Sequence, residues 1–526
     1  MKTRCPGAPV PTDDGNSAHH TVRCNGLAAT GAAFAQQTDS ASLFRTQREH
    51  ASPVAALAAT AYATPALRSE AFAGSLSEIS VGYEMRREEK ALEQQKGDGG
   101  DFGRFWAGSY KHISGKGTVW GDAGYLRGAK RNVVWNASSD YDLVFPYVVA
   151  DSIGGDLTSE EYTFGGGYGH RSGRYTWALE AGARALHEYR DSDPRIRNVA
   201  IDIDAGAGAS VRMGNYRLGL SAALRVYKQS GSQIQYAHSA GEKGVYHLSG
   251  LGSHYAGFEG NANSQTRYRG SGYGLTLALV PDAGRGGLHL AAGYEYLHIE
   301  KELPGSADLV LQKVVPRSFH AEAAWLRGSG NGLRWGVALK ARYDYRRGDE
   351  GIVDDNNSSQ GSGTLGFLTL FEYSALQGRA EAVFGVEAAG HAWYVCPWGE
   401  YRRRTSDYLY PAQNMEFTRA GGGVDFRCVL QRRSLLLRLE AGGGYTAGLD
   451  SGLTLPVADL AAPLVRMVQY DYGRLRQDAA TFRLGLRADY ALRRRMSLFL
   501  AADYGGGLYG DNTAAHHARV ACGIAF

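Results

Sequence analysis

The sequence predicts an all-β chain: a transmembrane antiparallel up-and-down β-barrel of about 18 strands, with 16 as the alternative. Three observations predict it. Apolar and polar residues alternate with a period of two over segments of ten residues or more, as tilted membrane strands require. No apolar run of 18 residues exists and the mean hydropathy is −0.32, so helical spanning is excluded while a barrel with a polar lumen is not. The connections alternate between short and long.

The 526 residues include 71 Gly, 32 Tyr and only 14 Pro. A net charge of +4 and the lack of a basic, aromatic-interleaved surface give no sign of a nucleic-acid partner. Five Cys form neither a disulfide framework nor a metal-ligand spacing: Cys5 and Cys24 precede the expected mature start, Cys396 falls in an expected loop, and Cys428 and Cys522 alternate onto the lipid side. No metal and no cofactor is expected.

Residues 1–35 read as a weak export segment or a misplaced start: Ala33-Phe34-Ala35 before Gln36-Gln37 resembles a signal-peptidase site, but the apolar stretch ahead of it is short. Residues 36–75, rich in Ala, Ser and Thr, are an extension that lies in the periplasm or threads the lumen as a small plug. Residues 76–526 are the barrel. Leu333, Trp335, Val337, Leu339, Ala341 and Tyr343 alternate with Arg334, Gly336, Ala338, Lys340, Arg342 and Asp344, and segments from 216, 481 and 496 repeat the pattern. Tight turns are expected at 112–117, 171–174, 214–215, 281–286, 328–332, 377–379, 431–434 and 493–495, most of them Gly-, Arg- or Asn-rich. Longer connections are expected at 87–101, 128–159, 185–196, 230–263, 302–312, 348–360, 396–412 and 450–477, with a short one at 510–513. Nine outer loops and eight inner turns need 18 strands and put short turns in the periplasm, long loops outside. Tyr83, Trp106, Tyr125, Trp177, Tyr294, Tyr296, Trp325, Trp335, Tyr343, Tyr345, Tyr445, Tyr490 and Tyr504 lie near strand ends, as interfacial girdles do. The last strand alternates up to Phe526, the expected signal to the barrel-assembly machinery.

Alternation turns charges of both signs inward. Arg217, Arg225, Arg334, Lys340, Arg342, Arg427, Arg438, Arg483, Arg487 and Arg519 are the basic set. Glu295, Glu322, Glu387, Glu440, Asp489 and Asp503, with Glu180, Asp202, Asp204, Glu381 and Asp425, are the acidic one. Such a lining either orients solutes in a pore or stiffens the wall as cross-strand ion pairs. His187, Asp191, Asp193 and Arg195 are the candidate catalytic cluster of a rim, read equally as a salt-bridged turn. The acidic stretch 349–357 misses the calcium-loop spacing.

Ser138-Ser139-Asp140-Tyr141 with Pro146-Tyr147, Asp151 to Asp156, Tyr189-Arg190-Asp191 with Asp193-Pro194-Arg195 and Asn198, and Tyr246 to Gly252 together resemble an uncharacterised family of outer-membrane β-barrel proteins of Bacteroidetes-type bacteria. The resemblance runs from about residue 76 to the end. It implies the barrel and the bacterial outer membrane, and it carries no activity. The leading expectation is a channel or transporter for a small polar solute, gated by the loops at 128–159 and 230–263. The runner-up is a plugged scaffold for surface binding or assembly, and a hydrolase is third; no catalytic residue is assigned. Expected partners are outer-membrane lipid, the assembly machinery and the solute, with a surface lipoprotein or a second copy as further ones.

Overall fold

The computed structural model describes residues 40–231, 245–255, 265–282, 286–304, 309–328, 331–353, 364–456, 462–493 and 495–526; the expected export segment 1–35 lies outside them. Four short helices come first: α1 (Ser40–His50), α2 (Pro53–Ala56), α3 (Ala59–Tyr62) and α4 (Pro65–Arg68). Pro sits in the first turn of α2 and α4, where its missing N–H is harmless, and Ser52 caps α2 by accepting a bond from the Ala55 amide.

The wall follows as β1 (Leu76–Glu88), β2 (Gly99–His112), β3 (Gly117–Val133), then, after a small strand β4 (Val149–Asp151), β5 (Gly155–Ser172), β6 (Tyr175–Tyr189), β7 (Arg197–Met213) and β8 (Tyr216–Gly231). Beyond the small strands β9 (Val245–Gly250) and β10 (Ser253–His254) come β11 (Thr266–Pro281), β12 (Gly287–Leu303), β13 (Leu309–Arg327), β14 (Gly332–Val353), β15 (Thr364–Glu387), β16 (His391–Tyr408), β17 (Gln413–Arg432), β18 (Leu435–Thr454), β19 (Ala479–Arg493), β20 (Met496–Tyr509) and β21 (Ala514–Ala525). Each wall strand pairs antiparallel with its chain neighbour in the wall, and β1 also pairs with β21, closing a ring of 18 strands without a free edge. The amide of Phe526 donates to the Ser77 carbonyl at 2.8 Å, and the Ser77 amide donates to the Phe526 carbonyl oxygen at 2.7 Å, completing the seam.

Outward residues are large and bare. Leu224 is 68% exposed, Leu339 65% and Leu500 61%, and they continue around the circumference with Leu484, Leu275, Phe384 and Val424. An apolar belt of this extent is stable only against hydrocarbon, and the closed ring leaves no free sheet edge there. Of the aromatic residues expected in the girdles, Trp106 departs: it pairs with Ser80 and Gly124 on the inner register, while its neighbour Phe105 faces out. Inner turns are tight, and Gly173 and Gly214 both take φ of +62° in two-residue hairpins.

Two boundaries are corrected. The expected turn at 377–379 is uninterrupted strand within β15, with Gly378 opposite Ala341 and Tyr401, and the chain turns at 388–390. Consequently 396–412 is mostly wall: β16 runs to Tyr408, and Cys396 is a strand residue opposite Asp425 instead of a loop thiol. The long loops do not simply float outside. Loop 134–154 carries α5 (Tyr141–Val144) and β4, the next long one carries β9, and 455–478 carries α6 (Pro463–Leu475); β4 pairs antiparallel with β9.

Candidate functional site

The lumen is built in three storeys. At the inner end, α1 to α4 lie against the wall. Leu67 packs where a Cβ on Gly219 would stand 2.9 Å from its Cδ1, so the missing side chain is the seat of α4. Leu57 and Val54 join Ala324, Ala338, Val383 and Tyr394 in one apolar cluster. Polar bonds surround these contacts. Gln47 donates to Asp489 at 3.2 Å and to Ser497 at 3.0 Å, and Arg48 donates to the Ala388 and Ala389 carbonyls at the 388–390 turn. Arg68 faces Glu180 at 3.7 Å, and Glu70 receives Arg171 and lies 3.9 Å from Arg217.

Several of the expected inward charges stand at this level. Arg487 contacts Glu78 at 2.5 Å and Asp489 at 2.8 Å, Arg438 contacts Asp489 at 3.0 Å, and Arg334 contacts Glu387 at 3.2 Å. Arg217 reaches Asp282 at 3.4 Å.

The middle storey holds most of the others, mainly paired across strands, the basic ends partly exposed and the carboxylates of Asp202, Glu322 and Asp425 buried. Arg225 meets Asp202 at 2.7 Å, with Glu295 close to the same guanidinium. Lys340 meets Glu381 at 2.8 Å and Glu322 at 3.7 Å; Arg427 meets Glu440 at 3.8 Å; Arg483 meets Asp425; Arg342 bonds Asp344 and the Ser318 hydroxyl. Asp503 and Arg519 are register partners on β20 and β21.

The outer storey is a cap made by the inward-folded loops. Val144, Tyr147, Val148, Leu248, Leu251, Leu464, Met467 and Val468 form an apolar core with the wall residues Tyr227, Tyr268, Ile299 and Phe371. Buried wall groups hold its backbone. Lys301 donates to the Val148 carbonyl at 3.4 Å and to Gln312 at 2.8 Å, Gln312 donates to Ser249 at 3.1 Å, Tyr268 donates to the Tyr147 carbonyl at 2.8 Å, and Arg346 donates to the Asp142 carbonyl at 2.7 Å. Arg419 donates to the Gln477 carbonyl at 2.6 Å behind α6. Burial, with Lys301 nearby, keeps the imidazole of His247 in the cap well below its usual pKa and hence neutral. Asp471 on α6 accepts from Gln95 at 2.8 Å and from the Gln94 amide at 3.3 Å, and burial raises its carboxyl to about 7.

The segments that carried the family resemblance meet in this cap. Ser138 bonds Tyr268 at 3.0 Å and accepts from the Val149 amide at 3.1 Å; Ser139 donates to Glu188 at 2.5 Å; Asn198 donates to the Ala137 carbonyl at 2.9 Å; Arg190 faces Asp151 at 3.5 Å. Of the candidate catalytic residues, Asp193 and Arg195 meet as the salt-bridged turn, and His187 lies on the outward face. His187 pairs in register with Val199 on the outward face and stacks on Tyr189 at 5.0 Å, while Asp193 is engaged by Arg195 at 3.1 Å. Asp349 and Glu350 are strand residues of β14, and positions 354–357 of the acidic stretch lie outside the described residues. Among the described residues no group of three or more His, Cys, Asp or Glu could hold a metal.

Sequence reasoning missed the cap anchors and, besides Trp106, the inward indole of Trp398. Lys301 immediately precedes the expected loop 302–312 and Gln312 is its last residue, and Trp398 lies in the stretch 396–412 expected as a loop. Reading the period of two through that stretch is the signal that finds Trp398.

A family model described as a family of unknown function, DUF6850, matches residues 65–526. No curated protein matches the chain. Among solved structures, the ferric preacinetobactin receptor BauA from Acinetobacter baumannii aligns at 9% identity over 86% of this chain and 80% of that one, with a TM-score of 0.38. The siderophore receptor PiuA from the same organism gives 8%, 86%, 82% and 0.37, and the alcaligin receptor FauA from Bordetella pertussis gives 9%, 84%, 76% and 0.31.

Proposed function

The chain belongs to the family of unknown function DUF6850, and from that premise we propose that it is a gated outer-membrane barrel that passes a small polar solute. The observation that carries the reading is the middle storey. Charged pairs such as Lys340–Glu381 and Arg225–Asp202 stand between the helices α1–α4 below and the cap above. A barrel of 18 strands is wide enough to leave an aqueous channel, and a lumen lined with both signs of charge favours polar solutes over apolar ones. The inner closure is a separate run of short helices held by side-chain contacts and shares no sheet with the wall, so it can leave without unpairing a strand.

A second reading, a plugged scaffold for surface binding or assembly, is favoured by the buried bonds that fasten the cap to Lys301, Tyr268, Arg346 and Arg419. Planar-bilayer recording separates the two. The full chain is expected to be silent, and a variant lacking residues 40–75 to give stable, discrete current steps. Silence from both forms makes the cap a permanent lid and leaves the scaffold.

A further inference from the structure

We propose that the outer edge of the apolar belt at β8 and β11 holds the phosphomonoester headgroup of an outer-leaflet lipid, a reading that stands apart from solute passage. Lys228 on β8 and Arg269 on β11 are exposed and directly opposite in register. Both point outward, since Lys228 lies between the buried Tyr227 and Gln229, and Arg269 follows the buried Tyr268. Cross-strand partners of this kind have Cβ atoms about 4.5–5.5 Å apart, and like charges so placed repel. Arg267 continues the row one outward position further from the belt. Among the described residues these three cations share one carboxylate, Glu302, 3.4 Å from Arg267 and 3.3 Å from Arg269. Glu300, opposite Arg269 on β12, is engaged by Lys313 at 2.8 Å. Two exposed cations elsewhere on the rim have carboxylates of their own: Arg127 meets Glu160 at 3.1 Å, and Arg403 meets Glu416 at 3.5 Å.

The patch sits where the belt ends. Ile201, opposite Lys228 on β7, and Val226, one outward position below Lys228, are exposed apolar residues, and Leu224 and Leu275 continue the belt beneath them. On β11 the outward Ser271 and Tyr273 lead down from Arg269, and Tyr273 stacks on Tyr296 of β12 with ring centres 5.3 Å apart, as in an interfacial girdle. A cation at this border keeps its stem over hydrocarbon and its charge in the layer of lipid phosphates. The charge balance selects the headgroup. Three cations against Glu302 leave two positive charges uncompensated. A phosphomonoester carries about −1.5 to −2 near neutral pH, whereas a phosphodiester carries a single charge. Arg269 offers a planar fork to two phosphate oxygens, Lys228 a point charge to the third, and the Ser271 hydroxyl a neutral donor below them. The acyl chains of the same lipid then run down Val226, Leu224 and Tyr273. A soluble anion would answer the charges and leave that apolar wall unused, so the occupant is a lipid.

Native mass spectrometry of the full chain in neutral maltoside micelles tests the proposal, with dioleoylphosphatidic acid, dioleoylphosphatidylglycerol and dioleoylphosphatidylcholine as probes and inorganic phosphate as competitor. Phosphatidic acid is expected to bind about tenfold more tightly than the other two lipids, and millimolar phosphate to leave it in place. Lys228→Gln combined with Arg269→Gln is expected to bring phosphatidic acid down to the level of phosphatidylcholine. Arg127→Gln combined with Arg403→Gln is expected to leave the preference intact. Heat-modifiable migration in electrophoresis shows whether each variant is folded; Lys228→Gln alone, expected to weaken the preference in the same direction, keeps the test open if the double variant is not. Equal binding of the three lipids, or an undiminished preference in the variant lacking both Lys228 and Arg269, overturns the site. Phosphatidylglycerol held as tightly as phosphatidic acid overturns the monoester, and displacement by inorganic phosphate overturns the lipid as occupant.

Discussion

The tightest arrangement at the residue scale is the group around Arg487. Its guanidinium, 7% exposed, contacts Glu78 at 2.5 Å and Asp489 at 2.8 Å, and its plane lies 3.8 Å from the centre of the Phe499 ring. Arg438 and Gln47 complete the surroundings of Asp489. Removing Arg487 leaves the buried Glu78 without its guanidinium and Asp489 with only Arg438 and Gln47, which costs about 3–5 kcal/mol. Arg487→Ala is therefore expected to lower the unfolding free energy in urea-containing micelles by that amount; a loss under 1 kcal/mol would mean that the pocket admits water and the pairs count as surface pairs. The variant also loosens the seat of α1, because Gln47 bonds to Asp489. None of these partnerships is legible in the sequence. Period-two alternation assigns a face to Arg487 and Asp489, but which strand lies opposite, and at what register, is fixed by ring closure between β1 and β21 and by turn lengths. Glu78 is 409 residues from Arg487 in the chain.

At the scale of elements, α6 shows how a polar group positions a helix inside a mouth. Asp471 faces Gln94 and Gln95 from the first outer loop, with Lys96 and Arg404 at longer range, and burial holds its carboxyl at about 7 against an ordinary 3.8. Between those two values the folded chain keeps a proton that the unfolded segment has released. Stability of this contact is therefore complete below pH 4 and is lost as pH rises through 7. Protection factors of residues 463–475, exchange rates divided by the intrinsic rate at each pH, are expected to be higher at pH 5 than at pH 8, and Asp471→Asn to flatten the difference; an equal pH dependence in the variant would assign it elsewhere. Element boundaries were legible where turn chemistry and alternation agreed, as at Gly214-Asn215. They failed at 377–379, where Gln377 and Arg379 are polar because they face a polar lumen and a glycine, Gly378, stands between them on the lipid side, so three strand residues imitate a hairpin. The cap was illegible for a related reason. Its small strands β4 and β9 pair only with each other and β10, inside a space whose existence depends on the finished wall.

The whole molecule is a wall with two closures, and the wall was the part written most plainly in the sequence. Hydrocarbon outside and water inside impose a period of two on every strand, so 18 strands could be read from alternation and connection lengths. The closures answer to packing inside the ring, which no local period reports. The same asymmetry predicts where substitutions are felt. Leu339 lies midway along β14 between Trp335 and Tyr343, 65% exposed and opposite Ala323 and Ala380, so its side chain sits near the middle of the belt. A cation there must leave water for hydrocarbon or snorkel along the strand, and at the midplane of a barrel this costs about 2–4 kcal/mol. Leu339→Arg is expected to lower the unfolding free energy in lipid vesicles by that much. Tyr410→Arg, at a 79% exposed site in the turn after β16, is expected to change it by less than about 0.5 kcal/mol, the usual range for surface positions. If both cost the same, the belt does not meet hydrocarbon and the ring is not seated in a bilayer. The inward neighbour Lys340, one residue along, carries its charge without that penalty because Glu381 and Glu322 stand beside it in the lumen.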